Sequence, residues 1–181
     1  VLVLVGVGVA MNNNAREERA REAEEKKNEA VIKRALALVS PGKPFGYDFF
    51  ELVDRTILLS AAEGGDPRAL FVWGRLHDSA VGLLKDDEEA VKWYRKAADQ
   101  GYPMAQSNLG AMYEYGLGVP KDDVEAVKWY RKAAEQDDAG GQRNLGVMYS
   151  NGRGVPKDDV EAVKWFGKAA AQGEPRGQTN L

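Results

Sequence analysis

Few side chains in this chain could do chemistry, and most of them recur at a fixed spacing. The 181 residues contain no cysteine and one histidine, His77. That removes disulfides, thiolate metal sites and thiol nucleophiles. His77 has no cluster of ligand-type neighbours and no partner for proton transfer, so it reads as a half-buried structural side chain. Ser40-Pro41-Gly42-Lys43 has the Ser-x-x-Lys form of penicillin-recognising enzymes, where a lysine one helical turn away takes the serine proton. Pro41 and Gly42 favour a turn instead, and no Ser-Asp-Asn or Lys-Thr-Gly segment accompanies it. The match reads as chance. Gly116-x-Gly118 and Gly152-x-Gly154 could cradle phosphate, but that needs a preceding strand and a helix opening at the glycines. Here a helical pattern precedes them, and Val-Pro-Lys-Asp-Asp follows. Asp86-Asp87, Asp122-Asp123 and Asp158-Asp159 resemble paired carboxylates. Their repetition points to helix capping. Asn108, Asn144 and Asn180 recur in the same way and read first as hydrogen bonders between packed helices. No catalytic residue, cofactor site or metal site emerges.

What positions these residues is a repeated helix. Trp93-Tyr94, Trp129-Tyr130 and Trp165-Phe166 lie 36 residues apart, a period that signals stacked repeats. On a helix from Asp122 to Glu135, Ala126, Trp129, Tyr130 and Ala133 share one face, opposite Glu125, Lys128, Arg131 and Lys132. Asp122 and Glu125 form a capping-box pattern. Gly101 and Gly173 stand where a left-handed cap is expected, and Asp137 takes that place in the middle copy. A preceding helix spans Pro103 to Tyr115, with Ala105, Leu109, Met112 and Tyr113 inward and Gly110 allowing close contact. Gly140 and Gly141 weaken the next copy of that helix.

The chain divides accordingly. Val1 to Met11 is apolar and reads as a signal-peptide or membrane-anchor remnant, too short to span about 30 Å of hydrocarbon. Asn12 to Asn14 punctuate it. Residues 12–47 are a charged helix and linker, with Glu17–Arg21, Glu22–Lys26 and Glu29–Lys33 as supporting pairs. Asp48 to Glu63 reads as a helix within a degenerate first repeat at 48–66. Repeats follow at 67–102, 103–138 and 139–174, and residues 175–181 read as the start of a truncated repeat. The net charge of −3 is interspersed and gives no nucleic-acid-binding surface.

Asn-Leu-Gly-x-Met-Tyr, Gly-x-Gly-Val-Pro-Lys-Asp-Asp and Glu-Ala-Val-Lys-Trp-Tyr-Arg-Lys-Ala-Ala together resemble the Sel-one-like repeat family. The likeness covers Pro67 to Leu181 well and Asp48 to Asp66 weakly. It implies an all-α solenoid of αα-hairpins wound into a right-handed superhelix. It also implies adaptor or scaffold work on a protein or peptide, with the first helices lining a concave groove. The outward positions of those helices are Arg68, Phe71, Arg75, Asp78 and Ser79, then Met104, Ser107, Ala111, Glu114 and Tyr115, then Gly140, Arg143, Val147, Ser150 and Asn151. Of these, Arg75, Asp78, Ser107, Glu114, Tyr115, Arg143 and Ser150 are the expected partner contacts. The alternative is a docking or regulatory domain of a cell-envelope enzyme acting on peptidoglycan or β-lactams. The apolar start favours export or membrane anchoring; the alternative is a cytoplasmic protein.

Overall fold

A computed structural model describes residues 2–38, 53–79 and 85–173, with side chains from residue 15 onward. Among the described residues there are eight helices and no strand. They are α1 (Leu2–Leu38), α2 (Arg55–Glu63), α3 (Pro67–Asp78), α4 (Asp87–Asp99), α5 (Pro103–Tyr115), α6 (Asp123–Glu135), α7 (Ala139–Asn151) and α8 (Asp159–Ala171). Each repeat is an antiparallel pair, α3–α4, α5–α6 and α7–α8. Each pair also packs on the next.

The caps set the register. Asp86, Asp122 and Asp158 are N-caps whose side chains accept from the N–H three residues on. The capping box closes on one side only. Glu125 turns to Lys128 at 2.8 Å, and the Asp122 N–H donates instead to the carbonyl of Tyr113. The same backbone bond joins Asp86 to His77 and Asp158 to Tyr149, so each inter-helix loop is tied at its base. Asp137 adopts the left-handed conformation, φ 61°, that Gly101 adopts one repeat earlier.

Packing explains the small residues. A Cβ on Gly110 would meet the Tyr130 ring at 2.7 Å, and Gly74 and Gly146 lie as close to Tyr94 and Phe166. Each aromatic ring lies against backbone. Gly141 is not a weakened copy of Ala105. A Cβ there would come within 2.6 Å of Ala133 Cβ, so α7 and α6 are pressed together at that point. The loops reach backwards. Gly118 and Gly154, both at φ 66°, rest on the main chain of Asp87 and Asp123, where a Cβ would fall 2.2 and 2.1 Å from the carbonyl oxygens.

The N-terminal region departs from expectation. Asn12 to Asn14 do not interrupt α1, which runs unbroken from Leu2 to Leu38. Asparagine lowers helix propensity by only a few tenths of a kcal/mol per residue, too little to end a long helix. The helix expected from Asp48 starts at Arg55 among the described residues, capped by Asp54, which accepts from the N–H groups of Thr56 and Ile57. The last turns of α1 bury Ile32 and Ala35 against α2 and α3. They stand where a first helix would stand in the degenerate repeat. Ser40 to Lys43, Phe49, Phe50, Ala80 to Leu84 and 175–181 lie outside the described residues.

Candidate binding groove

The first helices α5 and α7 touch each other, whereas the second helices α6 and α8 come no closer than a marginal contact. At that junction the first helices are therefore the closer pair, whereas α3 and α5 come no closer than a marginal contact.

The expected contacts divide into open and internal ones. Tyr115 is the exposed aromatic, 65 % accessible. Arg75 and Asp78 are partly exposed and 4.0 Å apart, and Arg143 and Ser150 are partly buried. Ser150 Oγ donates to the carbonyl of Val147. Ser107 and Glu114 are not open positions. Ser107 is covered by the next first helix, with Gly140 beside its hydroxyl, and Glu114 is buried by two donors. Phe71 is buried too, its ring 5.4 Å from Tyr102 and 6.0 Å from Tyr94. Arg68 is held by Glu29 at 2.7 and 2.8 Å and by Asp66 at 2.8 Å. Burial of Asp66 works against its charge, but the Arg68 hydrogen bonds win and hold its carboxyl below the ordinary 3.8.

Between the repeats lies a polar layer. Tyr130 Oη donates to Glu114 at 2.6 Å, Arg153 donates to the other Glu114 oxygen at 2.8 Å, and Arg153 also clamps Asp123 at 2.7 Å. One repeat earlier Tyr94 Oη donates to Asp78 at 3.1 Å and is also hydrogen-bonded by Asn108. Burial first, and then the facing carboxylates, push both phenols well above 10, so both remain protonated donors. One repeat later the pair is Phe166 and Ser150, with neither hydroxyl ring nor acid. A second ladder consists of glutamines. Buried Gln106 donates to the carbonyl of Ala98 and accepts from Gln136; buried Gln142 donates to that of Ala134 and accepts from Gln172. Both carbonyls also accept from a main-chain N–H, of Gly101 and of Asp137, so each glutamine is an additional donor that ties two repeats together. Sequence reasoning missed Arg153 and both glutamines. The glutamines carried a signal: 106, 142 and 178 form one 36-residue series, and 100, 136 and 172 another. Arg153 carried none, because Leu117 stands in its place one repeat earlier.

The Sel1 repeat family model matches residues 67–102, 103–138 and 139–174, well over half of the chain. The chain is a Sel1-repeat protein. Solved Sel1-type structures resemble it. A Sel1 repeat protein from Oxalobacter formigenes shares 42 % identity over 71 % of this chain and 96 % of its own, with a TM-score of 0.64. The protein c5321, a protective antigen present in uropathogenic Escherichia coli, shares 37 % identity over 87 % of this chain and 33 % of its own, with a TM-score of 0.69. Cysteine-rich protein B of Helicobacter pylori shares 26 % identity over 70 % and 90 %, with a TM-score of 0.56. Comparison with curated proteins gives no match. Sel1-repeat proteins are in general protein-interaction scaffolds. This Sel1-repeat chain has the family's all-helical stack, with repeats of about 36 residues.

Proposed function

We propose that this chain is a scaffold or adaptor that holds a peptide or protein segment in the groove along α3, α5 and α7. Its contacts would be Arg75, Asp78, Tyr115, Arg143 and Ser150. The supporting observation is the contrast along the first helices. The buried positions Leu76, Met112 and Met148 keep one apolar character, while the groove positions change from repeat to repeat. A side chain that serves stacking must suit every repeat; one that serves a partner need not. Tyr115, an exposed aromatic, has the character of an interface anchor. The test is capture of the natural partner from the source cell by full-length chain. Arg75→Glu with Arg143→Glu should abolish capture with the helical circular dichroism intact. Tyr115→Ala should weaken it about tenfold or more. Capture unchanged in both variants would move the site to the outer face of the second helices, around Lys128 and Lys132. We also infer export or membrane attachment, supported by the apolar Val1 to Met11. No helix among the described residues is long and apolar enough to cross a membrane.

A further inference from the structure

The first turn of α7 holds two glycines in different surroundings. Gly141 is required by packing, since a Cβ there would press on Ala133 Cβ at 2.6 Å. Gly140 is not pressed in that way. It stands where α3 carries Arg68 and α5 carries Met104, although glycine is the poorest helix former after proline. A Cβ on Gly140 would meet two oxygens, Asp138 Oδ1 at 3.2 Å and Ser107 Oγ at 3.3 Å. Those distances crowd a methyl group and suit an N–H donor.

The polar groups around this notch are open to a partner. Ser107 is 8 % accessible, yet its hydroxyl makes no hydrogen bond among the described residues. An enclosed hydroxyl without a partner costs stability until one is supplied. Asp138 Oδ1 caps α7 through the Gly141 N–H at 2.6 Å, and a carboxylate oxygen can accept a second donor. Asn144 lies four residues beyond Gly140 on the same face of α7. Helical side chains lean towards the N-terminus, which directs its amide over the notch. That amide also makes no hydrogen bond among the described residues. One repeat earlier, Asn108 is taken by the Tyr94 hydroxyl, and Met104 fills the place of Gly140. The seam there has neither the gap nor the open amide.

The pattern is two acceptors at the gap and an amide beside it. One residue of an extended chain presents its N–H and its C=O to the same side, as it does to a neighbouring strand. Its N–H would enter at Gly140, and its C=O would accept from Asn144. A helix cannot do this. Its main-chain groups are spent internally, and its side chains hold its axis about 8–10 Å away.

We infer that the notch at Gly140 seats the main chain of the partner, which therefore binds as an extended segment and not as a helix. This rests on the groove reading above.

The probe is a phage-displayed library of random dodecapeptides selected on the full chain. The strongest binder is then synthesised with each peptide bond in turn replaced by an ester, which removes one N–H and keeps every side chain. One ester should weaken binding about fivefold or more, and most others should not. Gly140→Met, which copies α5, should weaken it about tenfold or more with the melting temperature at or above that of the parent. Asn144→Ala should weaken it about fivefold. Tolerance of esters at every position, or a peptide that binds as a helix by circular dichroism, overturns the extended segment. Full affinity in both Gly140→Met and Asn144→Ala overturns the notch. In each of these cases the groove reading stands if Arg75→Glu with Arg143→Glu still blocks the peptide, and falls too if that variant binds like the parent. A library that yields no binder also overturns the inference.

Discussion

The junction between repeats 67–102 and 103–138 and the one that follows it share a backbone plan and differ in how they neutralise one acidic position, partly exposed as Asp78 and buried as Glu114. In the first, Tyr94 donates to Asp78, Arg75 one turn earlier supplies the positive charge, and Leu117 from the next loop packs on the apolar cluster. In the second, Tyr130 donates to Glu114, and Ala111 replaces the helix arginine. The guanidinium comes from the next loop instead, as Arg153 in place of Leu117. The acid and the tyrosine keep their 16-residue spacing while the cation moves from the helix to the loop. The second arrangement also joins two repeats, because Arg153 reaches Glu114 and Asp123 from the third. In the last repeat Phe166 and Ser150 carry neither hydroxyl ring nor acid, so the pair is present or absent as a unit. A buried carboxylate is tolerated only where its donors are supplied.

The largest expected effect tests what the two junctions share. Trp129 projects from α6 into the apolar cluster of the earlier repeats, while Tyr130 beside it belongs to the later cluster. Trp129→Ala should cost about 3–5 kcal/mol and loosen both junctions, read by urea denaturation. A loss below about 1 kcal/mol would mean that the two share no core.

Arg153→Leu copies the first junction's loop into the second. It leaves Glu114 buried with only the tyrosine donor and should cost about 2 kcal/mol, below the full cost of breaking a buried pair because Arg153 is one-third exposed. Adding Ala111→Arg, which places the cation where Arg75 stands, should recover most of that. If Arg153→Leu alone melts like the parent, the cation is not required.

Tyr130→Phe should cost about 1–1.5 kcal/mol. Combined with Glu114→Ser, which copies the last repeat, the loss should be smaller than the sum of the two single changes. A double-mutant cycle measures that difference, and strict additivity would dissolve the pairing.

The smallest effect is with pH. The Arg153 hydrogen bond holds the Asp123 carboxyl below its ordinary 3.8. A carboxyl with a lower pKa in the fold stabilises at pH above its unfolded value and loses that stabilisation as pH falls through the folded one. Thermal stability below about pH 4 should therefore fall more steeply in the parent than in Arg153→Leu. Parallel acid limbs would show that the Asp123 clamp does not respond to pH.

The stack itself was legible because its signals are local and repeated. The 36-residue period, the aspartate caps, Pro103 and the glycines under the aromatic rings all follow from one helix considered at a time. The polar layer was not. Glu114 lies on the outward arc of an isolated helix, and only Tyr130 and Arg153, arriving from two other elements, bring it inside. Ser107 is covered for the same kind of reason, by its neighbour's Gly140. A periodic reading assigns side chains to faces but does not show which faces stacking closes. The continuity of α1 was missed for the opposite reason: three asparagines were given more weight than their helix propensity warrants.

The backward reach of the loops gives the array a mechanical polarity. Gly118 lies on the first turn of α4 and Gly154 on the first turn of α6, so each repeat is clasped by the one after it. A steady pull across the chain would have to undo these clasps before the repeats part. Each release would free one repeat of about 36 residues, roughly 120 Å of extended chain. A pull from the N-terminal side meets α1, whose base is held by Arg68. Repeats 67–102 and 103–138 are thus each fastened from behind by the loop of the repeat that follows.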